Sequence, residues 1–124
     1  MLDTKYGNGT YTYQNGDKYE GFFLFNMPNG PGKYTFANGD VYQGNFRRGK
    51  RDGNGTFTYN DGRKYKGDFV NGEFSGKGTF FETDGTVYEG DFLNGKLHGN
   101  CIVTFPDCRK QSFFFENGKA IEIL

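Results

Sequence analysis

Apolar and polar residues alternate along this chain in short runs, and no stretch repeats at helical spacing. One phrase keeps returning instead: YQGNFRRGKRDGNG from Tyr42, YKGDFVNGEFSGKG from Tyr65 and YEGDFLNGKLHGN from Tyr88. Tyr19, Tyr42, Tyr65 and Tyr88 lie 23 residues apart, as do Gly21, Gly44, Gly67 and Gly90, and Phe23, Phe46, Phe69 and Phe92. Gly30, Gly53, Gly76 and Gly99 keep the same step, and so do Gly32, Gly55 and Gly78. Four full units, 19–41, 42–64, 65–87 and 88–110, stand between a half unit at 7–18 and a half unit or cap at 111–124. A fixed period of this kind marks a repeat architecture, in which each unit buries its apolar face against its neighbours.

Each unit divides into two short strands, about 42–46 and 55–59 in the second, with glycines interrupting every stretch that could become a helix. ANGD, NDGR and TDGT mark a tight connection between one unit and the next. A two-residue loop at Asn38-Gly39 would oppose Tyr34 to Gln43 and scatter apolar residues over both faces. A three-residue loop, Ala37-Asn38-Gly39 with Gly39 left-handed, opposes Phe36 to Asp40 and Tyr34 to Tyr42 and keeps the alternation clean. The prediction is an all-β fold: a single elongated, twisted antiparallel sheet of about ten strands built from 23-residue β-hairpin repeats, with one aromatic and one polar face. Gly32 opposite Gly44 leaves bare backbone over which neighbouring rings can lie.

Composition sharpens this picture. Apolar residues make up only 34%, but there are 15 Phe, 9 Tyr and 21 Gly, so the burial available is mostly aromatic. Fifteen basic residues balance fifteen acidic ones, which gives no electrostatic footprint for nucleic acid. The opening MLDTKYGNGT lacks the apolar run of a secretory signal, and no run is long enough to span a bilayer. Cys101 and Cys108 are too few for a disulfide framework. The expectation is a soluble cytoplasmic protein with reduced thiols.

The pattern Y-x-G-x-F…G-x-G-x-[FY]-x-[FY]-x-[ND]-G at this period resembles the MORN repeat (membrane occupation and recognition nexus), over essentially the whole chain. The resemblance implies single-sheet hairpin arrays of the kind found in junctophilins, plant phosphatidylinositol-phosphate kinases, a histone-lysine methyltransferase, and ciliary and parasite cytoskeletal scaffolds. Such a range of hosts means that fold alone says little about function. Several positions depart from the pattern: Glu82 takes an aromatic slot with Phe81 displaced to the polar face, Cys101 and Cys108 replace glycines, Val103 replaces a ring, and Phe113 replaces the glycine after the tyrosine.

Reactive chemistry is sparse. His98 is the only histidine and has no nucleophile or orienting group beside it in sequence, so it reads as a packing residue. Cys101 and Cys108 are spaced unlike zinc ligands and read as small replacements for glycine. The Gly-x-Gly pairs precede strands, where a phosphate loop needs a helix N-terminus. Asp68 and Asp91 recur once per unit and read as solvated strand positions. No catalytic residue, metal or cofactor is implied. Arg47, Arg48, Lys50 and Arg51 share one long loop, RRGKRDG, which reads as solvated or as a contact for anionic lipid or an acidic partner.

The aromatic face is the most informative feature. Its rings fall in columns, and no helix or second sheet remains in the chain to cover them. At roughly 150 Å² a ring, the column total exceeds the apolar patch a monomer ordinarily exposes, which points to a partner surface. The expected groove comprises Tyr42, Phe46, Phe57, Tyr59, Tyr65, Phe69, Phe80, Tyr88 and Phe92, receiving a helix or extended peptide. Phe113, Phe114, Phe115, Ile121, Ile123 and Leu124 form an expected cap or homodimer contact at the C-terminal end. The function expected is a non-enzymatic scaffold that binds a protein partner, cytoskeletal or membrane-associated, or a second copy of itself. The alternatives are a peripheral tether for phosphoinositides and the docking segment of a larger enzyme.

Overall fold

A computed structural model describes residues 5–121. Along it run β1 (Gly7–Thr12), β2 (Lys18–Leu24), β3 (Met27–Thr35), β4 (Val41–Arg47), β5 (Lys50–Thr58) and β6 (Lys64–Val70). They are followed by β7 (Glu73–Phe81), β8 (Val87–Leu93), β9 (Lys96–Thr104), β10 (Lys110–Glu116) and β11 (Lys119–Ile121). All eleven lie in one antiparallel sheet in strict chain order. The all-β single sheet is as expected, with one strand more than the ten predicted. The extra strand is β11, which Asn117 and Gly118 fold back onto β10 with φ of 51° and 83°.

The connection between units is the three-residue loop. Tyr34 opposes Tyr42 and Gly32 opposes Gly44. The Phe36 amide donates to the Asp40 carbonyl at 2.8 Å, and the Gly39 amide donates to the Phe36 carbonyl at 2.9 Å. Gly39 has φ of 98°, a left-handed conformation that a side chain would strain.

Within each unit the structure is tighter than the sequence reading. RRGKRDG is not a long loop: β4 runs to Arg47, β5 begins at Lys50, and Arg48-Gly49 make a two-residue turn with φ of 50° and 80°. Two consecutive left-handed residues match the twist of the flanking strands, which is why Asn-Gly recurs at 71–72, 94–95 and 117–118. These turns also stack, since the Gly49, Gly72, Gly95 and Gly118 amides each donate to a carbonyl of the preceding unit, those of Pro28, Arg51, Phe74 and Leu97. A register shift follows between Gly44 and Phe46, so that Phe46 comes to face Arg51. Gly53 takes up the shift with φ of 85°.

Candidate partner-binding face

The aromatic face is built on its tyrosines. Tyr19, Tyr42 and Tyr65 are all at 0% exposure, because each ring lies flat over a pair of opposed glycines. A Cβ on Gly55 would stand 2.5 Å from Tyr42 Cε1, and one on Gly78 the same distance from Tyr65 Cε1. The polar tip is satisfied locally: Tyr19 donates to the Phe22 carbonyl (2.9 Å), Tyr42 to Asn45 (2.7 Å) and Tyr65 to Asp68 (2.8 Å). Burial holds the Tyr42 phenol neutral, pushing its pKa up to about 12, and raises Tyr65 likewise. Each tyrosine also meets the phenylalanine of the next unit edge-on, with centroids at 5.1 Å for Tyr19–Phe46, 4.9 Å for Tyr42–Phe69 and 5.0 Å for Tyr65–Phe92.

This packing revises the expected groove. Tyr42, Phe46, Phe57, Tyr65, Phe69 and Phe92 are all buried, so they form its floor and hold the units together. Rings of adjacent units close over one another and leave little of these six side chains exposed. Of the predicted set, Tyr59, Phe80 and Tyr88 are half-buried and reachable. Tyr34, Phe36 and Phe74 join them, and Phe74 stacks on Tyr65 at 3.9 Å and 7°. A strand that begins later, as the glycine pattern alone predicts, leaves Phe74 outside the groove; β7 begins at Glu73 and brings it in. The signal was present in the 23-residue column Pro28, Arg51, Phe74, Leu97, apolar at three of its four positions.

Arg51 is the exception in that column and the second revision. Arg47, Arg48 and Lys50 are exposed at the turn, as expected, but Arg51 sits in β5 opposite Phe46 and points into the groove. Its guanidinium lies over the rings of Phe57 (5.2 Å) and Phe36 (5.7 Å), within cation–π range, and donates to the Gly72 carbonyl at 2.7 Å. Burial lowers its pKa from the usual arginine value. A recess of about 330 Å³ opens beside it, walled by Tyr34, Phe36, Phe46, Lys50, Arg51 and Asn71. Another of about 250 Å³ lies on its other flank, between Phe57, Tyr59, Glu73 and Phe74.

The last unit is built differently. Cys101 stands where Gly32, Gly55 and Gly78 receive a tyrosine, and it is 3% exposed. Tyr88 is therefore only half-buried, and its contact with Phe115 stretches to 6.4 Å. Cys101, Val103 and Phe115 form a small core of their own, with Phe113 against it. Phe115 and Phe113 thus belong to this end core, while Phe114 is half-buried on the opposite face, paired with Ile121, which is 38% exposed. Ile123 and Leu124 lie outside the described residues. Burial pushes the Cys101 thiol up to about 11, so it is an inert packing group at neutral pH. His98 accepts a hydrogen bond at Nδ1 from the Asn117 amide (3.4 Å), matching Asn29 with Arg48 and Asp52 with Asn71 three and two units earlier. Its role is to brace the next turn. On the polar face Asp91 pairs with Lys77 at 2.5 Å, and Asp68 accepts from Asn54. No group of three or more metal-binding side chains occurs among the described residues.

The comparisons agree with this geometry. The family model of the MORN repeat matches residues 7–18, 19–41, 42–62, 65–87 and 88–107. No curated protein matches the chain. Repeated matches over most of the chain, on a sheet whose hairpins follow the same period, place it in the MORN-repeat family, whose members generally serve as protein- or membrane-interaction modules.

Proposed function

We propose that the chain is an interaction scaffold that receives a helix or extended peptide of a protein partner along the half-buried rim of the aromatic face. One observation carries this reading. Tyr34, Phe36, Tyr59, Phe74 and Phe80 stay half-buried on a face that no other described element covers, since all described strands belong to the one sheet. Rings at half exposure above a rigid, fully packed floor have the geometry of interface anchors, which enter pockets on a partner with little reorganisation. The test is substitution of Tyr59 and Phe80 by Ser with recovery of the bound partner. Capture should be lost while the circular dichroism of the sheet stays unchanged. Capture that survives both changes would remove the rim as the contact surface.

A second reading has its own observation. The exposed Arg47, Arg48 and Lys50 stand beside Phe25 (63% exposed) and Met27 (42%) at the adjacent turn, so basic and apolar tips share one edge of the sheet. That combination suits the interface of an anionic membrane, where each basic residue contributes about 1 kcal/mol. Reversing the three charges to Glu should release the protein from phosphatidylserine vesicles at low salt. Wild-type protein that ignores such vesicles would leave only the protein-partner reading.

A further inference from the structure

Among the described groups on the aromatic face, Arg51 stands out as having chemistry that packing does not use up. Its register positions elsewhere hold Pro28, Phe74 and Leu97, so the slot does not require a charge. Its guanidinium is half-buried between two ring faces, and among the described residues no carboxylate lies within ion-pair distance of it. The titratable groups facing it are the phenols of Tyr34, Tyr42 and Tyr59, all shifted up by burial and therefore neutral at pH 7. Asp52, the next residue along β5, turns its carboxylate to the Asn71 amide (3.4 Å), and Glu73 lines the far recess; neither forms an ion pair with Arg51. Lys50, exposed at the mouth, adds a second positive charge.

A guanidinium has five donors in a planar fork, and here the Nη2 bond to Gly72 uses one of them. A half-desolvated cation with donors to spare and no acid ion-paired to it is an incomplete pair.

We propose that Arg51, with the Phe36 and Phe57 rings, forms a carboxylate-receiving subsite in the groove, so that the bound partner segment carries an Asp or Glu side chain set between apolar residues. This rests on the protein-partner reading above. One guanidinium with aromatic walls matches a planar, singly charged carboxylate, which it can hold by two parallel hydrogen bonds. A peptide supplies that carboxylate and the apolar neighbours for Tyr34, Tyr59 and Phe74 at once. The acid sets register along a groove whose rings repeat and would otherwise allow a one-unit slip.

The test is selection from a displayed peptide library on the immobilised full chain, using wild type, Arg51→Leu and Arg51→Phe. Leu and Phe are the residues that stand in this slot at positions 97 and 74. Wild type should enrich peptides with Asp or Glu at one fixed position among apolar residues, and both variants should enrich apolar peptides without it. Replacing that acid by its amide in a selected peptide should weaken binding to wild type about tenfold and to the variants less than about twofold. Wild-type selections with no acidic position, or variants that keep the acid preference, overturn the subsite and leave the groove reading standing. If none of the three proteins enriches peptides, the groove reading falls and the subsite with it. Should neither variant fold, the Arg51 Nε–Hε NMR signal of wild type decides: a signal moved by the acidic peptide and not by its amide supports the subsite, and one unmoved by both overturns it.

Discussion

The first three units and the fourth share a consensus and solve the same packing problem in different ways. Around Tyr65, bare backbone at Gly67 and Gly78 makes a shallow bed, the ring lies in it at 0% exposure, and its hydroxyl reaches the Asp68 carbonyl. Around Tyr88 one glycine of the bed has become Cys101, opposed in turn by Phe113, and the ring is half out. Burial then passes to Cys101, Val103 and Phe115, which form a separate core at the end of the array. Cys101 and Phe113, two side chains where the other units have glycine, thus leave the tyrosine less buried than bare backbone does. What the glycines contribute is shape, and apolar side chains in their place reorganise the unit instead of strengthening it.

The contrast can be broken most forcefully at the ring that fills it. Phe69 is 1% exposed and touches Tyr42, Tyr65 and Phe74, so Phe69→Ala should cost roughly 3–5 kcal/mol, as for a buried core ring. Phe113→Ala, at a half-buried site of the looser unit, should cost about half as much or less. Urea unfolding of both variants checks this, and equal losses would mean that the fourth unit is packed as tightly as the third.

The glycine bed itself comes next. Gly78→Ala places a methyl 2.5 Å from Tyr65 Cε1, against a ring that is fully enclosed and cannot swing away. The expected cost is roughly 2–3 kcal/mol of overpacking. Tyr65 fluorescence should also become more quenchable, since expelling the ring is the alternative to straining it. Cys101→Ala, at the equivalent position, keeps the Cβ that already displaced Tyr88 and should cost about 1 kcal/mol. A benign Gly78→Ala would show that the bed is wider than its contacts indicate.

Much of this was legible in the sequence, and the limits were local. Repeat period, strand alternation and the three-residue loop at Ala37-Asn38-Gly39 follow from the positions of Tyr, Gly and Phe, because a slip by one residue would turn every ring outward. The other turn is harder to read. Asn71-Gly72 and Asn94-Gly95 carry the signal of a two-residue hairpin, but Arg48-Gly49 disguises it in the second unit, and the charge of RRGKRDG suggested a solvated loop. That disguise conceals the first residues of β5 and β7, and with them both Arg51 and Phe74. Exposure within the groove was not legible at all. Alternation assigns Phe69 and Phe80 to one face, yet only curvature and neighbour contacts decide that the first is floor and the second rim.

A smaller effect separates the tyrosine tips. Tyr65→Phe removes a donor from the Asp68 carbonyl inside the sheet and should cost about 1–2 kcal/mol, the loss of a hydrogen bond plus an unsatisfied acceptor. Tyr88 makes no such bond to Asp91 among the described residues, so Tyr88→Phe should be neutral within about 0.5 kcal/mol. A double comparison by thermal unfolding, both variants against wild type, is sensitive enough. A cost at Tyr88 equal to that at Tyr65 would place its ring back over the bed in solution.

The smallest effect lies at the turn just beyond Cys101, and it should raise stability. Gly16, Gly39, Gly62 and Gly85 close the inter-unit loops with φ of 97° to 99°, and the same position in the last loop is Cys108 at φ 73°. A side chain in that region clashes with its own carbonyl, which costs about 1–2 kcal/mol, while glycine costs about 0.5–1 kcal/mol of extra chain entropy on folding. The Cys108 side chain is exposed and recovers nothing by burial. Cys108→Gly should therefore stabilise the fold by about 0.5–1 kcal/mol, the difference between those terms. Cys101→Gly offers no such relief, because it empties a site that is 3% exposed and packed against Val103 and Phe115, so it should destabilise the end unit. Two cysteines that look equivalent as glycine replacements thus separate by sign. Thermal melts in which both changes moved the midpoint in the same direction would show that the backbone at 108 is not the strained element.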